Sequence, residues 1–157
     1  MKTLILYASK YGTTAMIAEK IAKAIDNAVI VDLNQETSYN LNEYDSVIIG
    51  TAVYAGNIHK AVKQFFADKA AALKPQSYGI YLCGLEEKHN EEFFKRNFAA
   101  DVRRNAKILQ EVGGYFDPAK SSFFEKTLMK MITKSSAIQN TINEKALTEF
   151  INVMRSQ

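Results

Sequence analysis

The sequence predicts an α/β protein in which helices cover both faces of a five-stranded parallel sheet, forming a three-layer sandwich. Strand-like and helix-like segments alternate along the 157 residues, as in β/α units joined by right-handed crossovers. The segment Asp45-Ser-Val-Ile-Ile-Gly50 is strongly apolar and does not alternate with polar residues. This pattern is typical of a strand that is buried on both faces. The two observations together indicate a doubly wound sheet.

The strands and helices are expected in alternating order. Five segments are predicted to form the strands, namely residues 3–8, 28–33, 45–50, 77–83 and part of 106–115. The first helix is marked by Ile17, Ile21 and Ile25 at helical spacing, and later helices are expected at 58–73, 91–104 and about 143–154. The polar stretch 34–43 is predicted to be a loop with at most a short helix.

An additional segment at about residues 118–140 separates the last strand from the last helix. Residues 121–134 within it are predicted to form an amphipathic helix. Its apolar stripe consists of Phe124, Leu128, Met131 and Ile132, and its basic stripe consists of Lys126, Lys130 and Lys134. Such a helix packs on the edge of the sheet, or it contacts a membrane surface or covers an apolar substrate.

Composition indicates a soluble globular protein with residues 1–157 in one domain. Hydrophobic residues make up 47% and charged residues 24% of the chain, and no apolar run approaches the ~20 residues of a membrane-spanning helix. Cys83 is the single cysteine and cannot form an internal disulfide, which is typical of a reducing cytoplasm. The net charge of +3 gives no indication of nucleic-acid binding.

The turn after the first strand, Ser9-Lys-Tyr-Gly-Thr-Thr14, has the chemistry of a phosphate site. It leads into a helix whose first turn presents unpaired N–H groups and the positive end of the helix dipole. Ser9, Thr13 and Thr14 add hydroxyl donors, and Gly12 allows the backbone to approach closely. The turn contains neither a P-loop motif nor G-x-G-x-x-G, which argues against those two nucleotide sites. The alternative is an N-capped helix that binds no ligand.

This Ser-x-x-Gly-x-Thr pattern resembles the FMN-phosphate loop of the flavodoxin family. The resemblance implies a flavodoxin-like sheet in the order 2-1-3-4-5, with FMN as cofactor at the switch point between the first and third strands. It also implies that three loops contact the cofactor. The expected cofactor-binding residues are Ser9, Lys10, Tyr11, Gly12, Thr13 and Thr14 in the first loop, Thr51, Ala52, Val53, Tyr54, Ala55 and Gly56 in the second, and Cys83, Gly84 and Leu85 in the third.

Single residues in and near these loops have expected roles, and none of them is assigned as a conventional catalytic residue or metal ligand. Tyr54 is expected to stack on the flavin or to cap the sheet, and Gly56 to allow a backbone change beside the flavin. His59 is expected either to donate to the flavin or a substrate, or to cap the helix that follows. Cys83 has no resolving cysteine and is not predicted to be a catalytic thiol. His89 lies in a charged stretch that is predicted to be a solvated face.

Residues 1–6, 44–50, 56–59 and 123–132 resemble the bacterial menaquinone-dependent protoporphyrinogen oxidase group of flavodoxin-like proteins. The chain differs from that group in having Tyr54-Ala55 where the group has an Arg-Tyr pair. The resemblance implies an FMN-dependent oxidoreductase of haem biosynthesis that passes electrons from a porphyrinogen to a quinone at the membrane surface. The alternative is a non-enzymatic, flavodoxin-type electron carrier. A phosphorylated signalling domain would need acidic residues after the first strand, and Tyr7-Ala8-Ser9 provides none.

Overall fold

The computed structural model describes residues 1–35, 38–75, 77–86, 88–123, 126–127, 130–131 and 134–156. Its main sheet contains the parallel strands β1 (Thr3–Ala8), β2 (Ala28–Asp32), β3 (Ser46–Tyr54), β5 (Tyr78–Cys83) and β6 (Ile108–Glu111). They lie in the order β2-β1-β3-β5-β6, which confirms the predicted order 2-1-3-4-5 of the parallel strands. The two-residue strand β4 (Asn57–Ile58) pairs antiparallel with the end of β3.

Helices cover both faces of this sheet. They are α1 (Thr13–Ala24), α2 (Lys60–Lys69), α3 (Glu91–Asn97), α4 (Ala100–Asn105) and α5 (Glu144–Arg155). Leu4 and Leu6 of β1 belong to one buried cluster, with residues of α2, α3 and α4. Ile5 lies between them in sequence and belongs to a second buried cluster, with residues of α1 and α5. Because successive side chains of a strand point to opposite faces, β1 supplies both cores of the three-layer sandwich.

Three predicted boundaries were wrong. The third strand continues past Gly50 to Tyr54, because Thr51 and Ala52 still pair with the neighbouring parallel strands and residues 53–54 pair with β4. The predicted helix 58–73 is shorter, since α2 ends at Lys69 and a 3₁₀ turn at Ala70–Ala72 follows. The predicted helix 91–104 is two helices, because the backbone becomes extended at Phe98, whose side chain is buried in the core. In the described residues of the loop 34–43, a 3₁₀ turn lies at Leu41–Glu43, as expected.

A short antiparallel pair of strands lies where the additional segment begins and ends. Strand β7 (Tyr115–Phe116) pairs antiparallel with β8 (Gln139–Asn140). Residues 123, 126–127 and 130–131 are helical, whereas Phe124, Leu128 and Ile132 of the predicted apolar stripe lie outside the described residues. Phe123 is 87% exposed and Met131 is 73% exposed, so these two side chains are not packed on the sheet. None of the helices in the described part of the chain has the length and apolar character that a bilayer crossing requires.

Candidate functional site

A cleft lies at the carboxyl ends of β1, β3 and β5, where the order of the strands reverses. It brings together most of the predicted site residues, namely Ser9, Lys10, Tyr11, Thr13, Thr14, Ala52, Val53, Tyr54, Ala55, Cys83, Gly84 and Leu85. It is also lined by five residues that were not predicted, namely Glu86, His89, Gly114, Tyr115 and Phe116. Gly12, Thr51 and Gly56 are not among the lining residues. In open α/β sheets this switch point is where ligands bind.

The first loop turns sharply at Gly12, where φ is +89°. The Gly12 N–H donates a 2.9 Å hydrogen bond to Ser9 Oγ, and α1 begins at the next residue. The N-cap residue of α1 is Gly12, which provides no side-chain cap, and the first turn of the helix contains no acidic residue. The N-terminal end of this helix therefore faces the cleft with its positive dipole uncompensated by a side chain.

The two threonines at the start of α1 have different surroundings. The Thr13 hydroxyl donates a 2.7 Å hydrogen bond to the Tyr115 carbonyl oxygen, which ties the first loop to β7. Thr14 is 1% exposed, and its hydroxyl lies beside the thiol of Cys83. Burial raises the pKa of Cys83 to about 12, and the Thr14 hydroxyl lowers it by a smaller amount. Cys83 is therefore a protonated thiol near neutral pH, as expected for a residue without a nucleophilic role.

The second loop is a tight hairpin between β3 and β4. Ala55 and Gly56 form its two-residue turn and both have positive φ, at 46° and 71°. Positive φ at both positions is characteristic of a type I′ turn, which matches the twist of the two strands. A non-glycine residue is uncommon in this conformation, so the Ala55 backbone is strained.

Hydrogen bonds from side chains of helix α3 hold this turn in place. The Gly56 carbonyl oxygen accepts hydrogen bonds from Arg96 Nη2 at 2.5 Å and from Asn97 Nδ2 at 3.1 Å. Asn97 is 8% exposed, and its Oδ1 accepts a 3.1 Å bond from the Ile58 N–H. Thr51, at the start of the predicted loop, is fully buried in β3 and accepts a 3.0 Å hydrogen bond from the His59 N–H.

Aromatic side chains from three separate segments meet beside the first loop. The Tyr11 ring has edge contacts with Tyr54, at 6.4 Å between ring centroids, and with Phe116, at 5.6 Å. The Lys10 ammonium lies 3.6 Å from the centroid of the Tyr54 ring. Burial raises the pKa of Tyr54, so its hydroxyl stays protonated. This arrangement gives the cleft an aromatic wall of rings in edge contact, with the Lys10 ammonium beside it.

The third loop, which begins at Cys83 and includes Gly84 and Leu85, is anchored to the sheet through His89. The prediction that His89 lies on a solvated face was wrong, because its side chain is 6% exposed. The Nδ1 atom contacts Glu111 of β6, Nε2 lies 3.0 Å from a Glu86 carboxylate oxygen, and the ring stacks on Phe93 at 3.9 Å. Two carboxylates and an aromatic face thus hold this imidazole at the border of the cleft.

His59 caps a helix, which was one of its two expected roles. It is the N-cap residue of α2, where Nδ1 accepts a 3.2 Å hydrogen bond from the Ala61 N–H. Burial, followed by the charge of Lys60, lowers the pKa of His59. The lowered pKa keeps the ring neutral near neutral pH and so keeps its nitrogen available as the cap acceptor.

The five residues that sequence reasoning missed enter the cleft through long-range packing. Gly114 lies so close to the third loop that a Cβ atom there would be 2.8 Å from the carbonyl carbon and oxygen of Gly84. The Gly113-Gly114 pair was the sequence feature that could have predicted this close approach, because glycines often mark places where two backbone segments come close together. Tyr115 and Phe116 follow this pair directly, and no local pattern indicated where their side chains point.

The reversed strand order and the cleft at the ends of β1, β3 and β5 define a flavodoxin-like protein. The family model described as Flavodoxin domain matches residues 4–143, and the chain belongs to this family.

The matched relatives and solved structures have low sequence identity to this chain. The chain is 23% identical over 146 residues to protoporphyrinogen IX dehydrogenase [quinone] of Escherichia coli strain K12, covering 87% of this chain and 81% of the relative. The flavodoxin of Streptococcus pneumoniae TIGR4 aligns with a TM-score of 0.59 and 19% identity over 98% of this chain and 97% of its own. A flavoprotein from Lactobacillus acidophilus NCFM, solved in complex with FMN, gives a TM-score of 0.52 and 19% identity over 72% and 91% of the two chains. At these identities the structural likeness concerns the fold alone.

Proposed function

We propose that the cleft holds FMN and that the chain is an FMN-dependent oxidoreductase. The observation that carries the proposal is the meeting of two features in one cleft. One is the uncapped N-terminus of α1, which favours a phosphate dianion. The other is the wall formed by Tyr11, Tyr54 and Phe116, which favours a flat ring system.

The first loop fits the phosphate end of FMN. A bound dianion would act as the cap that α1 lacks, accepting hydrogen bonds from the amides of its first turn. Ser9 Oγ accepts its hydrogen bond from Gly12 and keeps its own proton to donate. The Thr13 hydroxyl contacts the Tyr115 carbonyl and can rotate toward an anion in the cleft.

The second and third loops fit the ring end. FMN supplies the two-electron chemistry when bound, and the residues of the chain hold it and shape the cleft around it. The backbone of residues 52–55 and of Gly84-Leu85 offers N–H and C=O groups for the polar edge of the ring. The buried Cys83 thiol, with its pKa of about 12, adds no competing nucleophile at this site.

The fastening of the second loop favours an oxidoreductase over a one-electron carrier. Gly56 was expected to allow a backbone change beside the flavin; it does not line the cleft itself but directly follows Ala55, which does. Turning its carbonyl group away would break the hydrogen bonds from Arg96 and Asn97. One of these bonds has a charged donor, so the loss amounts to about 2–4 kcal/mol. We therefore expect the second loop to keep one conformation while the cofactor is reduced. A loop that does not rearrange gives no added stability to the one-electron-reduced state of the cofactor.

The substrate class follows from the Escherichia coli relative, whose name specifies protoporphyrinogen IX and a quinone. We propose a porphyrinogen as electron donor and a quinone such as menaquinone as acceptor. The exposed Phe123 and Met131, together with Lys126 and Lys130, make the additional segment suitable for contact with an anionic membrane surface. Phe116 lines both the cleft and the neighbouring cavity that includes Phe123, so this surface adjoins the proposed cofactor site.

The first test is a titration of the purified protein with FMN, followed by stepwise anaerobic reduction and an assay of protoporphyrinogen IX oxidation with a menaquinone analogue. We expect quenching of FMN fluorescence, reduction in a single two-electron step, and turnover. Absence of FMN binding would remove the cofactor assignment. Binding without turnover, with reduction in two one-electron steps, would identify an electron carrier instead.

The role of the fastened turn is tested with Asn97→Asp and Arg96→Gln. Asn97→Asp keeps the Oδ1 acceptor for Ile58 and removes the donor to Gly56. We expect both variants to separate the two electrons during reductive titration, because the Gly56 carbonyl gains freedom to turn. Lys95→Gln is the matched control, since Lys95 lies on the same helix and pairs with the exposed Glu91. Identical titrations for all four proteins would contradict the role of the turn.

Membrane contact is tested by sedimentation with phosphatidylcholine vesicles that contain or lack phosphatidylserine. We expect binding to the anionic vesicles, and a large loss of binding in the double variant Phe123→Ser/Met131→Ser. Val29→Ser/Ile30→Ser is the control, because these two residues are also exposed but lie on the edge strand β2, outside the additional segment. Equal vesicle binding by both double variants would contradict the proposed surface.

A further inference from the structure

A second cavity of about 280 Å³ opens beside the cleft, between the first loop and the start of the additional segment. It is separate from the cavity that includes Phe123. It is lined by Lys10, Tyr11, Tyr115, Phe116, Asp117, Lys120 and Ser121. Four of these residues, Lys10, Tyr11, Tyr115 and Phe116, also line the cleft. A ligand in the second cavity would therefore share its aromatic wall with the proposed cofactor site.

The charges around this cavity favour an anion. Lys10 lies on the side of the first loop, and Lys120 ends the 3₁₀ turn Pro118–Lys120 on the opposite side. Asp117 is the acidic residue among the lining side chains, and its Oδ1 accepts a 2.9 Å hydrogen bond from the Ala119 N–H. This carboxylate is thus held by the turn that it caps, whereas both lysines extend from exposed positions.

The apolar part of the cavity favours a ring rather than a small ion. Tyr11 and Phe116 are in edge contact, and the Lys10 ammonium lies 5.4 Å from the centroid of the Tyr11 ring. The same ammonium lies 3.6 Å from the ring of Tyr54, which lines the cleft and not this cavity. A cation beside aromatic faces suits a ligand that combines a flat apolar body with a negative group. An inorganic anion would bind to the lysines but would make no contact with the aromatic surface.

We infer that this cavity is a substrate subsite, in which Lys10 and Lys120 bind a carboxylate carried by an apolar ring system whose body lies against Tyr11 and Phe116. The inference deepens the proposed function and depends on it for the position of the cofactor. The subsite would place the ring of the substrate next to the cleft. Substrates that lack the carboxylate would lose this orientation.

The probe is protoporphyrin IX, compared with its dimethyl ester in the same dilute detergent, with binding to the FMN-loaded protein followed by porphyrin fluorescence. We expect the diacid to bind about tenfold more tightly than the ester, as one charge-assisted contact provides. Lys120→Gln should remove most of this preference, and Lys120→Arg should retain it. Lys126→Gln is the matched control, because Lys126 lies on the same segment but lines the neighbouring cavity.

The outcomes separate this inference from the cofactor assignment. Equal binding of diacid and ester, or equal losses in Lys120→Gln and Lys126→Gln, would overturn the subsite even if FMN binds. A preference for the diacid that depends on Lys120 in a protein that fails to bind FMN would support the subsite and refute the proposed cofactor. Loss of the preference in Lys120→Gln alone, in the FMN-loaded protein, supports both.

Discussion

The phenol of Tyr81 donates a 2.9 Å hydrogen bond to the backbone carbonyl oxygen of Thr14. Tyr81 is fully buried in β5, and Gly50 lies beside it in β3, where a Cβ atom would be 2.1 Å from the Tyr81 ring. A glycine in β3 thus makes room for a tyrosine that supports the first turn of α1 from inside the core. This side chain connects the core to the first loop of the cleft.

Replacing Tyr81 is expected to affect both stability and binding. Tyr81→Phe removes one buried hydrogen bond and should lower the free energy of unfolding by about 1 kcal/mol. It should also weaken FMN binding, because the first turn of α1 loses its support. Tyr78→Phe is the matched control, since the buried Tyr78 hydroxyl donates to the Val102 carbonyl away from the cleft. Urea unfolding and FMN titration of both variants measure the two effects. Weaker FMN binding in both variants to the same extent would contradict the local role.

The hydroxyls of the first loop are expected to contribute to binding through the phosphate. Each hydrogen bond to a charged acceptor is worth about 1.5–3 kcal/mol, so Thr13→Ala/Thr14→Ala should weaken FMN binding by roughly 100-fold. Riboflavin, which lacks the phosphate, should bind the wild-type and variant proteins with similar affinity. Fluorescence titrations with both flavins provide the comparison. A similar loss for FMN and riboflavin would place the effect elsewhere in the cleft.

His89 is expected to hold the third loop in place for the cofactor. The His89 ring contacts Glu111 of β6, and its loss would release the loop that carries Gly84 and Leu85. Hydrogen bonds to charged groups are worth about 1.5–3 kcal/mol, so His89→Ala should weaken FMN binding by roughly tenfold or more. His59→Ala is the control, because His59 caps α2 and is not among the residues lining the cleft. Unchanged affinity in His89→Ala would show that the loop needs no such anchor.

Alkaline pH is expected to destabilise the protein through Cys83. The pKa of its thiol rises from 9.0 to about 12 on burial, so unfolding favours the thiolate. The associated stability is complete below pH 9 and is lost as the pH rises toward 12. At pH 10 the loss attributable to Cys83 should be on the order of 1 kcal/mol. Urea unfolding at pH 7.5 and pH 10 measures it, and Cys83→Ala should show a smaller decrease than wild type. Equal decreases in the two proteins would mean that the thiol ionises without a penalty in the folded state.

The strands, their order and the first loop were predictable because their signals are local or follow from connectivity. The run from Thr3 to Ala8 is apolar on both faces, and the structure has β1 at these residues. Hydroxyl residues and Gly12 stand directly between this strand and a periodic helix, which predicted a turn at this position that is suited to an anion. Right-handed crossovers restrict how such β/α units assemble.

The surroundings of His89 and Gly56 were decided by tertiary packing. His89 stands among charged residues, yet Glu111 and Phe93 come from distant parts of the chain to enclose its ring. Gly56 looked free to move, yet Asn97 reaches back from α3 to hold its carbonyl oxygen. Neither partner is marked by spacing or composition.

The parallel sheet and a helix that begins directly after β1 could be predicted from the chain alone, because strand burial and helix periodicity depend on neighbouring residues. The aromatic wall of Tyr11, Tyr54 and Phe116, and the shared cavity of Lys10 and Lys120, could be found from tertiary packing alone. These side chains come from parts of the chain that are far apart in sequence. Their contacts depend on how the strand ends are brought together, and this long-range arrangement leaves no periodic pattern in the chain.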